Sequence, residues 1–201
     1  MDSDLVEAVD KLKAILDKRT ISFSLGAASR DVVDRVTQRL KLPPRYRSFL
    51  LEANPTELQT VTPVESVQFI PAEELLQEQV GFSLSEDLKH LSPGKDGSWR
   101  RSWIIIAYGV LGDPYFLDTS QGDAEGDCPV FTAMSGTERW DPSLAASSFV
   151  QFLQILTTAM EVADGFGEAE LGVDDEDVFR EALAPRIRTL DPAALRAGHW
   201  T

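Results

Sequence analysis

The run Trp103-Ile104-Ile105-Ile106-Ala107-Tyr108 constrains the fold more than any other stretch of the chain. Its apolar, largely β-branched residues do not alternate with polar ones, so both faces of the strand they form must be covered. Such a strand belongs in the middle of a sheet. Turn residues bracket it, with Ser92-Pro93-Gly94 and Asp96-Gly97 upstream and Gly112-Asp113-Pro114 downstream. The downstream turn opens a second strand, Tyr115-Phe116-Leu117-Asp118, and an acidic loop leads to a third around Pro129-Val130-Phe131-Thr132. Together they read as an antiparallel meander. Leu58 to Thr62 and Ser66 to Ile70 are short strands separated by Pro63, followed by a short helix from Ala72 to about Gln79 and a connector from Gly81 to Trp99.

Helical periodicity flanks these strands. Leu5, Val6, Val9, Leu12, Ile15 and Leu16 recur at three- and four-residue steps behind Ser3 or Asp4 as N-cap. Val32, Val33, Val36 and Leu40 do the same behind Ser29, and Pro43-Pro44 stops them. Pro44 suits the first turn of a third helix, which turns Tyr46, Phe49 and Leu50 inward. That helix ends near Asn54-Pro55, because a residue before proline avoids the helical region. A long helix behind Ser147 or Ser148 carries Phe149, Phe152, Leu153, Leu156, Met160 and Val162 on or near one face and stops at Gly165, which suits packing across the sheet. Shorter helices follow at about 174–183 and 192–197. The expected fold class is α+β, with N-terminal helices, a small mainly antiparallel sheet, a long C-terminal helix packed on it and a helical acidic tail. The expected division is a helical extension (1–28), an α+β core (29–160) and an acidic tail (161–201), within a single compact domain.

Charge narrows the partners. Nineteen Lys and Arg against thirty-three Asp and Glu give a net charge of −14, which repels phosphate backbones and anionic membrane surfaces. Nucleic acid and membrane are therefore not expected as partners, whereas a basic protein is drawn in by long-range attraction. The single Cys128 forms no internal disulfide, and the acidic start Met1-Asp2-Ser3-Asp4 lacks the basic and apolar regions of a secretory signal. A cytoplasmic location is expected.

Residues able to carry chemistry are few. His90, His199 and Cys128 offer no triad, no Gly-x-Ser-x-Gly elbow exists, and His199 falls in a terminus expected to fray. Two His and one Cys do not make a zinc set, and the stretch from Asp118 to Asp127 lacks the register of a calcium loop. No catalytic residue, metal or cofactor is expected. The segment from Glu161 to Glu181 holds nine acidic residues against the single Arg180 and is densest at Asp174-Asp175-Glu176-Asp177. It can serve as an electrostatic docking face or complement the dipole of the last helix. Asp113, Asp118, Asp123, Glu125 and Asp127 lie on or beside the meander loops, where contacts concentrate. Trp99 is a candidate exposed anchor, and Trp140 a core residue. These acids with Trp99 form the candidate partner-binding set.

The segment Leu42-Pro43-Pro44-Arg45-Tyr46-Arg47-Ser48-Phe49-Leu50 has further landmarks behind it in order. Trp103 to Ala107 leads through Gly109 and Gly112-Asp113 to Tyr115-Phe116-Leu117-Asp118, and Trp140, Ser148-Phe149 and Phe152-Leu153 close the series. From about residue 30 to residue 156 this pattern resembles the SUKH superfamily, which groups bacterial immunity proteins with a fungal cell-wall regulator. Asn54-Pro55 departs from it, standing where the family often has Asn-Gly. The resemblance implies binding without catalysis, by a protein that sits on a toxin domain, often a nuclease, and blocks it. The alternatives are a regulatory or scaffold module for an endogenous protein, or an unrecognised hydrolase using Asp113 or Asp118.

Overall fold

A computed structural model describes residues 1–19, 23–92, 94, 97–166 and 173–200, with the side chains of 173–175 outside the description. The turn signals at Pro93 and Asp96 therefore lie outside the described residues. Among the described residues there are seven helices and a curled antiparallel sheet. In chain order they are α1 (Ser3–Leu16), β1 (Leu25–Gly26), α2 (Arg30–Leu40), α3 (Pro44–Ala53), β2 (Asn54–Pro55), β3 (Gln59–Val61), β4 (Ser66–Phe69) and α4 (Leu75–Glu78). Then come β5 (Trp103–Tyr108), β6 (Pro114–Asp118), β7 (Val130–Thr132), β8 (Ser143–Ala146), α5 (Phe149–Ala163), α6 (Val173–Leu190) and α7 (Pro192–Ala197). β3 to β8 form one sheet in simple sequence order, all neighbours antiparallel, so the meander extends over six strands.

The apolar run predicted as a central strand is β5, buried from Trp103 to Ala107 and hydrogen-bonded to β4 and β6. Its register against β6 slips at Ile106: Ile105 pairs with Phe116, but Ala107 pairs with Tyr115. Neighbours on β6 point to opposite faces, so this bulge puts Ile105 and Ala107 on opposite faces too. One face then carries Trp103, Ile105 and Phe116, the other Ile104, Ala107, Tyr115 and Leu117.

The Tyr115 face takes α5. Phe152 stacks against Tyr115 at 5.2 Å and lies 6.0 Å from Phe69, while Phe149 meets Tyr46 and Phe49 of α3 edge-on, each at 5.0 Å. The helix is buried on most of its circumference because α1 and α6 close over it. Leu5, Val9, Leu12 and Leu16 of α1 are fully buried there. Val6, expected on the same stripe, points outward, and Ala8 takes the inner position. The opposite face is covered by an aromatic layer, in which Trp99 touches Phe82, Trp103, Phe116 and Trp140 at centroid distances of 4.8–5.3 Å.

Three local devices were not anticipated. Asn54 adopts φ −54 and ψ 125 ahead of Pro55, so no positive φ is needed where the family often has glycine. Its buried amide accepts from the Ala72 N–H at 2.8 Å and donates to Glu73 at 2.9 Å, which ties the end of α3 to the segment before α4. Helix α6 runs to Leu190 past Pro185, beyond the expected end near Leu183. Phe179, Leu183 and Ile187, one turn apart and fully buried, outweigh the backbone bond that proline removes. Both sheet edges are also closed: Arg19 donates to the Val61 carbonyl at 2.7 Å on β3, and Trp200 Nε1 donates to the Ala145 carbonyl at 2.8 Å on β8.

Beside the bulge, Ile105 has no strand partner on the β4 side. The fully buried Gln79 amide replaces one, accepting the Ile105 N–H at 3.1 Å and donating to its carbonyl at 3.1 Å. Gln79→Leu keeps the volume but strands both backbone groups, so the unfolding free energy should fall by about 3 kcal/mol. Urea denaturation checks this, and a loss under about 0.5 kcal/mol would show that the ladder does not need the amide.

Candidate protein-interaction surface

The five meander acids do not share one face. Asp113 stands at the β5–β6 turn and Asp118 at the far end of β6, roughly 17 Å away at a strand's rise per residue. At the near end, Asp113 accepts from the Ser135 N–H at 2.6 Å while Ser135 Oγ donates to the Gly112 carbonyl at 2.7 Å. This ties the turn after β7 to the hairpin tip. Val110, Leu111 and Met134 are thereby brought to the same end of the sheet, 71%, 83% and 68% exposed.

At the far end the acids divide by role. Asp118 is only 2% exposed and caps the 3₁₀ turn Thr119–Gln121, accepting from the Ser120 N–H at 3.0 Å, Ser120 Oγ at 2.6 Å and Gln121 Nε2 at 2.8 Å. Burial pushes its carboxyl up, but the bonds from Ser120 and Gln121 together prevail and hold it below the usual carboxylate range. Asp127 is 1% exposed. Its Oδ1 accepts N–H bonds from Cys128 at 2.7 Å and Phe149 at 2.9 Å, and its Oδ2 accepts from Val150 at 3.2 Å with Arg45 Nη1 at 3.4 Å. Phe149 and Val150 open α5, so the carboxylate caps the positive end of the helix that packs across the sheet.

Asp127 also closes the loop that contains it. Its N–H donates to Asp123 Oδ1 at 2.8 Å, the Asp123 N–H donates to the Asp127 carbonyl at 2.9 Å, and the Arg45 N–H donates to the Gly126 carbonyl at 3.1 Å. Gly126 has φ +79, and a Cβ there would meet Pro44 Cγ at 2.8 Å, so glycine is required twice over. Arg45 reaches on to Asp2 at 2.7 Å. The outcome is a loop fixed to α1, α3 and α5 that leaves Asp123 and Glu125 exposed, neither in an ion pair among the described residues.

Buried Asp118 and Asp127 are therefore parts of the frame, and the expectation that they face a partner is replaced by these internal bonds. Trp99 is likewise 9% exposed, with Nε1 donating to the Trp103 carbonyl at 3.1 Å, so it anchors the aromatic layer and not a partner. Trp140 packs against it but remains half-buried. On α6 Glu176 and Asp177 are exposed. Glu176 accepts from Arg180 at 2.8 Å, whereas the side chains of Asp174 and Asp175 lie outside the described residues.

Arg180 links the tail to the Asp113 end, since Nη1 donates to the His199 carbonyl at 3.3 Å and His199 Nε2 lies 2.8 Å from the Tyr115 hydroxyl. His199, expected to fray, is thus packed between Tyr115 and Trp200. Burial, helped by the Arg180 charge, pushes its imidazole down from 6.5 to about 4. Burial, with Asp127, Asp123 and Asp118 nearby, pushes the Cys128 thiol up to about 12, which leaves it protonated and a poor nucleophile. No group of three or more metal-ligating side chains occurs among the described residues, and no helix among them is long and apolar enough to cross a membrane. Sequence reasoning missed Arg45. Its signal was a cation in the first turn of a helix, where the dipole disfavours one and an anionic partner has to compensate.

These features define an α+β protein whose chemistry-bearing residues serve its frame, with acidic and apolar side chains at two fixed ends of a curled sheet. The chain belongs to the SMI1/KNR4 family (SUKH-1), whose model matches residues 27–155, from just after β1 into α5. The family is of the immunity-protein type and is not a known enzyme family. Comparison with curated proteins gives no match.

Two outcomes follow. Asp127→Ala should cost about 3 kcal/mol in denaturant unfolding, because it leaves Arg45 and the first turn of α5 unpaired, while Glu125→Ala should stay within about 0.5 kcal/mol. His199 refuses below pH 6.5 a proton that the unfolded chain accepts. Stability should therefore fall as pH drops from 6.5 towards about 4, by up to about 1.4 kcal/mol per pH unit from this group. Unfolding of His199→Gln, followed from about pH 7 to about pH 5, should lack that component.

Proposed function

We propose that this protein is a cytoplasmic, non-enzymatic binding module of the immunity type, which docks on a basic toxin domain and blocks it. The observation that carries the reading is the loop from Thr119 to Cys128, held in place from within by Asp127, on which Asp123 and Glu125 are exposed and in no ion pair among the described residues. Carboxylates that need no reorganisation can meet a positive surface at little entropic cost, and the net charge of −14 speeds the encounter. A nuclease toxin needs a positive groove for its substrate, which such a loop can occupy. Asp113, Glu176 and Asp177 add acidity around the other end of the sheet, where Val110, Leu111 and Met134 supply the apolar area that an interface core requires.

Co-expression with any secreted toxin encoded beside the gene tests this by growth rescue, followed by binding kinetics on the purified pair. Asp123→Asn, which keeps the Oδ1 acceptor for the Asp127 N–H, with Glu125→Lys should lower the association rate severalfold at low salt, and Leu111→Asp should chiefly raise the dissociation rate. Absence of rescue, with an endogenous housekeeping protein bound instead, would replace the immunity reading with a regulatory scaffold.

A further inference from the structure

One concavity of this acidic protein carries the opposite charge. A cavity of about 550 Å³ is lined by Arg35, Gln38, Arg39 and Lys41 from α2 and its C-terminal cap, by Leu76 of α4, and by Leu88 and His90. No carboxylate among the described residues lines it, in a chain where acids outnumber bases. None of the three cations is in an ion pair among the described residues, although Arg45 and Arg47 nearby in sequence both are. The negative end of α2 attracts cations in its last turn, which accounts for Arg39 and Lys41 but not for Arg35 a full turn earlier. Arg35 and Arg39 also repel each other as like charges four residues apart.

Two residues that line the cavity have left-handed backbone among those described. Lys41 (φ 60) takes it as the C-terminal cap of α2, its N–H donating to the Thr37 carbonyl, which is ordinary for a helix end. Leu88 (φ 57) lies outside any helix cap, so its surroundings impose the conformation. The two walls are tied directly, His90 Nε2 lying 3.1 Å from the Arg39 carbonyl, so the concavity is formed without a ligand. Its volume is within the range of small-molecule sites.

We infer that this cavity binds a diphosphate group. Guanidinium forks suit phosphate oxygens, and Arg35 and Arg39 stand about 6 Å apart along the helix axis, a span that two linked phosphates can bridge with Lys41 at the end. Leu76 and Leu88 form an apolar floor that can receive a planar or apolar substituent of the same ligand. This site is separate from the acidic surfaces and does not depend on the immunity reading.

Calorimetric titration of the whole protein with inorganic pyrophosphate and with ADP, free of divalent cations and matched in ionic strength with KCl, tests it. Saturable binding of both is expected, with tighter binding of ADP assigning a nucleotide and equal binding assigning the diphosphate alone. Arg35→Ala with Arg39→Ala should weaken binding at least tenfold. Lys41→Gly relieves the left-handed backbone while removing a charge, so it should raise the melting temperature and yet weaken binding about fivefold. No saturable heat, or unchanged affinity in both variants, would overturn the assignment.

Discussion

A single buried carboxylate holds this structure in register. Asp127 accepts two N–H bonds from the start of α5 and one from Cys128, lies against Arg45, and closes its own loop through Asp123. A charge this deep is tolerated because every lone pair faces a donor and because the helix terminus behind those donors is itself positive. Through Arg45 the same constraint reaches Asp2 and the start of α1, so helix, loop and N-terminus share one electrostatic centre. Asp191 does a smaller version of this at the other end of the chain, capping α7 while accepting from the Ser147 N–H and hydroxyl.

The acidic composition therefore has two components with different consequences. Asp118, Asp127 and Asp191 are buried and spend their oxygens on helix and turn termini, whereas Asp123, Glu125 and Asp177 point outward. Only the second group adds to the field that a partner meets at close range. The inward acids fix where the outward ones stand. The basic concavity on α2 breaks the pattern locally, with Arg35, Arg39 and Lys41 exposed and in no ion pair among the described residues.

Much of the fold was legible because its signals were local. β5 matches the apolar run from Trp103 to Tyr108, and α7 matches the span from Pro192 to Ala197. β8 was missed because Ser143-Leu144-Ala145-Ala146 has neither β-branched residues nor alternation; β7 and the Trp200 bond recruit it. The paired strands β1 and β2, two residues each, give no periodicity to read. The site was less legible, since Asp123 and Asp127 belong to one acidic stretch and differ only in what surrounds them after folding. Trp99 misled for a similar reason: its connector position suggested exposure, yet the unalternating β5 required something large to cover its second face.

The central claim is that carboxylates mounted on this internal frame steer a basic partner into contact. The most direct measurement is the association rate with a toxin domain against which the protein gives growth rescue, as ionic strength rises from about 0.02 M to about 0.5 M. The account predicts a steep fall in the wild type and a shallower one in the Asp123→Asn, Glu125→Lys variant, which keeps the loop-closing acceptor. A salt-independent rate, the same in both proteins, would contradict it.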